Sequence, residues 1–376
     1  MSGADEAELW AAIVAHPEDD VARLVYADWL SEHSDPRGEL IALQVQQMKL
    51  REGTASWVRI QRRVDVLLAQ NWARWEPKVQ VERARRMREP TKDPADHRTD
   101  WSFERGFPER LRTVPQLFLE YAAEVRAAAP LLWDVTLDCG KMPTLDPAPW
   151  VDPLVTKLAG VRHLALAHTT DSALIVFAGR PELQALQGLS LEHCRFGIAG
   201  PDALAHRHSS LLGLSWLELS QVNLNETSGT RLFKGAFTRL RELRVRHETL
   251  GLRTCAAMGA LASGMRKLDL SWCTLANDAL EKLLFAPLSE QLVELNLSYL
   301  TAGEPLGEWL RAPPKSLRVL RLTQSRLSPG AVRALIEAEP LSQLDLLDVA
   351  GVSLGDSEAN ALLARFGDRV LFRTET

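Results

Sequence analysis

The sequence predicts an α/β fold. It should be a repeat solenoid with parallel strands on a concave face and helices on a convex face, preceded by an α-helical capping domain. Three observations point there. First, an LxxLxL pattern recurs nine times, with middle apolar residues Val135, Leu164, Leu189, Leu217, Leu243, Leu268, Leu295, Leu320 and Leu347. The intervals are 29, 25, 28, 26, 25, 27, 25 and 27 residues, the mark of stacked units that cannot bury their apolar faces alone. Second, eight of the eleven tryptophans fall at or before Trp150, after which leucine dominates. Third, residues 1–50 hold ten Asp/Glu against three Lys/Arg, a net of −7, whereas 51–115 hold fifteen Lys/Arg against ten Asp/Glu, a net of +5. These shifts separate a helical domain with its linker (1–110) from a solenoid of about nine repeats (111–376).

The elements follow in order. Residues 4–15 read as a helix carrying Leu9, Trp10 and Ile13, stopped by Pro17. Asp19 or Asp20 can N-cap VARLVYADWLSEH, in which Leu24, Val25, Asp28 and Trp29 recur at helical spacing. Ser34 to Gly38 form a turn, and ELIALQVQQMKL (39–50) is helical again, with Leu40, Leu43 and Gln47 near one stripe. Trp57–Trp75 and Val79–Met87 suggest two more helices, and 89–100 has the composition of an exposed loop. In the repeats each LxL is a short strand and each second half a helix. In NDALEKLLFAPL Asn277 can cap; in SPGAVRALIEAEPL Ser328 caps and Pro329 takes the first helical position, where its missing N–H costs little. Val370-Leu371-Phe372 reads as a weaker last strand.

Two repeats extend to LxLxxCxL, through Cys194 and Phe196 after Leu191 and through Cys273 and Leu275 after Leu270. This resembles the leucine-rich repeat, in which the Cys or Asn bonds backbone groups beneath the turn. Val222, Glu248, Leu300, Ser325 and Val352 replace it elsewhere, so the turns are irregular. The period near 26 and the helical second halves resemble the ribonuclease-inhibitor-like subclass over roughly residues 131–373. At the N-terminus, LVYADWL and DPRGELIALQ (within 16–44), with FERGFPERL (103–111), resemble the bacterial repeat-companion domain found beside such repeats. That resemblance implies architecture, with the helices shielding the first repeat from water; no catalytic residue is carried over from it.

Composition narrows the function. A net charge of −5 and a pI near 6.0 give no global basic field for nucleic acid or anionic lipid. The run RARRMRE (83–89) is interleaved with Glu82 and Glu89 and reads as a solvated helix face. Cys139, Cys194, Cys255 and Cys273 form no CxxC and read as reduced thiols. With no signal-peptide pattern and no run of about 18 apolar residues, a cytoplasmic location and no membrane span are expected. No G-x-S-x-G, P-loop, HExxH or GxGxxG is present, Cys255 lies in an apolar helix, and Asp28 and Glu32 read as solvated; no catalytic residue, metal or cofactor is expected.

The candidate site is the exposed strand face, because alternate strand residues point to opposite sides. Its central column is Thr136, Ala165, Ser190, Glu218, Arg244, Asp269, Asn296, Arg321 and Asp348. A second column, two residues after each last strand leucine, is Cys139, His168, His193, Gln221, His247, Trp272, Tyr299, Gln324 and Gly351. Rings with polar tips suit binding hot spots. The expectation is therefore a scaffold that binds a protein through His168, His193, Glu218, Gln221, Arg244, His247, Asp269, Trp272, Tyr299, Arg321 and Gln324. His168 and His193 could share a zinc ion only with further ligands, and too few stand near; His206 and His208, two apart on an expected helix, face solvent. The alternative function is a regulator of a partner enzyme, inhibitor-like or GTPase-activating, a role implied by the repeat resemblance. Arg244, Arg246 or Arg321 would then stabilise phosphoryl-transfer charge in trans.

Overall fold

The computed structural model describes residues 3–50, 52–79, 100–143, 145–261 and 264–372. They fall into two compact units, 1–137 and 138–374. The run 83–89, the loop up to residue 99 and all of the helix expected over 79–87 except Val79 lie outside the described residues; Val79 is not helical.

The first unit begins with helices α1 (Gly3–Ala15), α2 (Asp20–Glu32), α3 (Arg37–Met48) and α4 (Ala55–Trp75). Asp19 caps α2 by accepting the Val21 N–H at 2.8 Å, and Thr54 caps α4. Strands β1 (Asp100–Glu104) and β2 (Phe107–Thr113) follow, then α5 (Pro115–Ala128) and β3 (Asp134–Asp138). The helical reading of 1–110 thus needs correction at its end, because FERGFPERL is a β-hairpin. Arg105 and Gly106 turn it with φ of 47° and 87°, the two positive values that a two-residue turn matched to strand twist requires. Gly106 is obligatory for a second reason: a Cβ there would lie 2.1 Å from Ile41 Cγ1. Gln44 clamps the turn, donating to the Phe103 carbonyl at 2.8 Å and accepting the Gly106 N–H at 2.7 Å. β2 then pairs in parallel with β3, Leu111 opposite Val135.

The buried face of α2 also departs from expectation. Arg23, Tyr26, Ala27 and Leu30 are buried, while Val25 is 48% exposed and Asp28 is exposed. The reason is electrostatic. Arg23 and Glu109 are both 0% exposed and pair at 2.7 Å; Arg105 takes the other carboxylate oxygen at 2.9 Å, joined there by the Trp133 indole N–H at 2.9 Å. Arg23 also donates to the Pro17 carbonyl at 2.7 Å. A buried arginine satisfied on several sides drags its helix face inward, and hydropathy spacing alone cannot register that.

The second unit alternates helices and strands. Its first half runs α6 (Ala148–Lys157), β4 (His163–Ala167), α7 (Asp171–Ala178), β5 (Gly188–Glu192), α8 (Ala199–Ala205), β6 (Trp216–Ser220), α9 (Glu226–Phe233), β7 (Glu242–Arg246), β8 (Thr249–Leu250) and α10 (Leu252–Gly259). Then come β9 (Lys267–Asp269), β10 (Thr274–Leu275), α11 (Asn277–Leu284), β11 (Glu294–Asn296), β12 (Thr301–Ala302), α12 (Glu304–Arg311), β13 (Val319–Arg321), β14 (Arg326–Leu327), α13 (Pro329–Glu337), β15 (Leu346–Asp348), α14 (Asp356–Phe366) and β16 (Val370–Leu371). The main strands pair in parallel in the order β4-β5-β6-β7-β9-β11-β13-β15-β16. Short β8–β10 and β12–β14 pairs stand ahead of the helices. This is a leucine-rich-repeat fold of mixed α/β class.

Register follows the leucines. Leu164, Leu189, Leu217, Leu243, Leu268, Leu295, Leu320, Leu347 and Val370 lie opposite one another from strand to strand. The same leucines are at most 1% exposed, and each such side chain contributes about 2 kcal/mol by leaving water. Ser328 caps α13 as expected, accepting the Ala331 N–H at 3.1 Å. Asn277 does not cap α11; Ala276 holds the cap position and Asn277 is the first helical residue.

A test of the first unit follows from its buried charge. Glu109→Gln leaves two guanidinium groups around a neutral amide, and an unfolding titration in urea should show a loss of about 3–5 kcal/mol. A loss below about 1 kcal/mol would mean that solvent reaches these groups.

Candidate functional site

The site is built where each strand ends. Past the last strand leucine the chain has to turn toward the helix layer while its backbone stays paired with the next repeat. It does so with one residue in the left-handed region: φ is 55° at His168, 52° at His193, 53° at Gln221, 55° at His247, 63° at Trp272, 61° at Tyr299, 55° at Gln324 and 68° at Gly351. This is the second column of the sequence analysis. Left-handed backbone costs a non-glycine residue about 1–2 kcal/mol, and bulky Trp and Tyr are rare there.

The recurrence has a cause in the hydrogen bonds. The N–H of six of these residues reaches the carbonyl that precedes its counterpart in the next repeat: His168 to Glu192 at 2.9 Å, His193 to Ser220 at 2.9 Å, Gln221 to Arg246 at 3.2 Å, Trp272 to Ser298 at 3.0 Å, Tyr299 to Thr323 at 2.8 Å and Gln324 to Ala350 at 2.7 Å. The ladder therefore continues one rung beyond the strands. Cys139, expected in this column, keeps the rung (to Ala167, 2.8 Å) but is buried and has no left-handed φ, so it is not part of the exposed surface.

The left-handed step turns every side chain of the column outward, and all are exposed. Spaced by the strand separation, their rings stack. His168 and His193 lie 5.4 Å apart at 15°, His247 and Trp272 5.3 Å apart at 20°, and Trp272 and Tyr299 3.7 Å apart at 11°. Trp272 is 49% and Tyr299 39% exposed. At the far end the Gln324 amide lies over Gly351, where a Cβ would fall 2.2 Å from its Nε2. His168 Nδ1 is 3.1 Å from Asp138 Oδ1. Among the described residues no group of three or more His, Cys, Asp or Glu is placed to hold a metal ion.

The central column is a network of charges. Arg246 grips Asp269 through Nε at 3.0 Å and through its terminal nitrogen at 2.7 Å, and it reaches Glu218 at 3.2 Å. Arg244 bonds Glu242 at 2.6 Å and stands 3.8 Å from Glu218, its guanidinium over the Trp216 ring at 5.1 Å. Trp216 in turn stacks on His163 at 4.2 Å. Lys267 bridges Glu242 and Glu294 at 3.8 and 3.9 Å, and Arg321 donates to Glu294 at 3.2 Å. Ala165, Ser190, Glu218 and Asp348 are buried, so the exposed part of this column is narrower than expected. Glu218, Arg244, Asp269 and Arg321 are thus brought together beside the ring column. Because Arg244, Arg246 and Arg321 already hold carboxylates, giving any of them to a partner's phosphate would require breaking ion pairs. Glu242, Lys267 and Glu294 were missed, although the alternation that picks out the central column reaches them two residues earlier on the same face.

Beneath the column, the turn position is filled in several ways. Cys273 Sγ and Ser325 Oγ donate back to the carbonyls of Val245 and Leu297, at 3.0 and 2.7 Å. Cys194 Sγ donates to Glu192 at 3.2 Å. Burial pushes the Cys194, Cys255 and Cys273 thiols up to about 12 and raises Cys139 as well, so none is a ready thiolate. Val222 has no donor to offer. Its turn is held instead by the next repeat's Glu248, buried, which accepts the N–H groups of Val222, Asn223 and Leu224 at 2.5, 3.2 and 2.8 Å. Burial raises this carboxyl's pKa and the three donors oppose the rise. Outside the column, His206 and His208 lie in a turn just past α8, not on a helix, and both are exposed.

No protein-family model matches this chain, and no curated protein matches it. Among solved structures, it is similar to an internalin (inlF) from Listeria monocytogenes at 16% identity and a TM-score of 0.40, over 67% of this chain and 71% of that one.

Two substitutions test this geometry. Glu248→Ala strands the buried N–H groups of Val222 and Leu224 along with that of exposed Asn223 and should cost about 3 kcal/mol, with faster amide exchange confined first to residues 222–224. Gln221→Gly should be neutral or stabilising by up to about 1 kcal/mol, because it relieves the left-handed backbone; a loss above that would show that the side chain, not the backbone, sets the stability there.

Proposed function

We propose that this protein is a non-enzymatic recognition scaffold that binds a protein partner through the exposed strand face of its repeats. The observation that carries this reading is the stacked His247–Trp272–Tyr299 ladder, bulky rings kept in solvent on a left-handed backbone. Burying such rings would supply affinity, since Trp and Tyr lose little conformational freedom on binding and gain large contact area. The less buried ion groups beside it, Arg244, Asp269 and Arg321, have both signs and would set orientation and on-rate more than affinity. His168, His193, Gln221 and Gln324 extend the same surface to either side. A partner segment bearing aromatic, proline or arginine side chains fits this chemistry, because each stacks on a ring face.

The finer assignments belong to the same reading. The strand–helix period supports a ribonuclease-inhibitor-like repeat. The motifs of the first unit support a companion-domain role for residues 1–110 beside a solenoid in 111–376.

The experiment is a capture from native lysate with wild type and the Trp272→Ala/Tyr299→Ala double variant as parallel baits, followed by affinity measurement on whatever protein is retained. Removing two hot-spot rings should weaken binding by about 30-fold or more. Folding stability should change by about 1 kcal/mol or less, as both rings are solvent-exposed. Equal affinity for both baits would remove this face from the function.

A further inference from the structure

The three segments that single out the N-terminal unit converge on one cleft. It has a volume of about 350 Å³ and is lined by Glu6, Ala7, Trp10, Tyr26, Arg37 and Phe107. Tyr26 comes from LVYADWL, Arg37 from DPRGELIALQ and Phe107 from FERGFPERL. The rings form its wall: Trp10 packs on Phe107 at 5.1 Å, and Tyr26 stacks along Phe107 at 6.2 Å and 17°.

Two opposite charges face this cleft without neutralising each other. Arg37 lies over Trp75 at 5.4 Å and over Phe107 at 6.0 Å, so its guanidinium plane is held by ring faces. Its Nε is buried without a partner, and among the described residues its side chain makes no hydrogen bond or ion pair. The nearby Asp35 carboxylate is occupied by Arg74 at 2.7 Å and by the Arg37 backbone N–H at 2.9 Å. Burial lowers the Arg37 pKa, and the charge of Asp35, already engaged by Arg74, only partly opposes it. Glu6 accepts the Tyr26 hydroxyl at 3.1 Å through one oxygen, leaving the other oxygen for a donor. Burial and Glu6 push the Tyr26 phenol up to about 12, so it stays a donor.

We propose that this cleft binds a small zwitterion, an α-amino acid with an apolar side chain, its carboxylate on Arg37, its ammonium on Glu6 and its side chain against Trp10 and Phe107. The volume suits a ligand of that size. A planar guanidinium held by stacking is preorganised for a carboxylate. The single carboxylate of Glu6 disfavours a multiply charged anion such as phosphate. This site is independent of the recognition face of the repeats and stands whether or not that reading holds.

The test uses the full chain, with titration calorimetry and Trp10 fluorescence as readouts. The probes are L-phenylalanine, L-phenylalaninamide (cation only), N-acetyl-L-phenylalanine (anion only) and inorganic phosphate. Wild type should bind L-phenylalanine saturably and each singly charged analogue at least about tenfold more weakly, one charge-assisted bond being worth that factor. Arg37→Met should abolish binding. Because that change removes packing on Trp75, Glu6→Gln serves as the second variant: it should weaken L-phenylalanine about tenfold and leave N-acetyl-L-phenylalanine unchanged. No saturable binding of L-phenylalanine to wild type, or equal affinity for N-acetyl-L-phenylalanine or phosphate, would overturn the assignment.

Discussion

One backbone hydrogen bond organises much of the second unit: the rung that six repeats add beyond the strand, from the N–H of the left-handed residue to the next repeat's carbonyl. A parallel strand that ended at its last leucine would leave that N–H bare at the rim of a sheet. A chain that continued straight would never reach the helix layer. The left-handed residue meets both demands. Its cost of about 1–2 kcal/mol is outweighed in each repeat by two buried strand residues at about 2 kcal/mol apiece, before the rung itself is counted. Side-chain exposure, ring stacking and the buried turn position all follow from this one backbone choice.

The first unit depends on a different kind of constraint. Glu109 lies between Arg23 and Arg105 with the Trp133 indole as a further donor, so α2, the hairpin turn and the chain ahead of β3 are tied to a single carboxylate. Buried ion groups of this sort define an arrangement more than they stabilise it, since their desolvation offsets most of the attraction. Here the arrangement includes the tight turn at Arg105-Gly106, where the left-handed backbone and the close approach of Ile41 both require glycine at 106.

Much of this was legible in the sequence. The leucine spacing gave the register of the solenoid strand by strand, and the two-residue offset located the outward column from His168 to Gln324. Ser328 announced its cap. What escaped reading has identifiable physical reasons. A left-handed φ at Trp272 or Tyr299 contradicts local preference and is imposed by the neighbouring repeat. Glu248 satisfies amides some 25 residues away, a relation no local pattern encodes. The hairpin at 100–113 was hidden because charged residues alternate with buried ones in FPERLRT, and Glu109, which looks like a surface residue, is wholly buried. The α2 stripe was misplaced for the same reason, through Arg23.

The column carries one more implication. Its left-handed step is the same under imidazole, amide, indole, phenol and bare hydrogen, since His193, Gln221, Trp272, Tyr299 and Gly351 all have φ between 52° and 68°. The chemistry on display is thereby uncoupled from the architecture that displays it. Each repeat with a side chain here offers one letter that can be exchanged for another at a similar backbone cost, so binding preference can drift through single replacements along this edge while the scaffold is inherited intact.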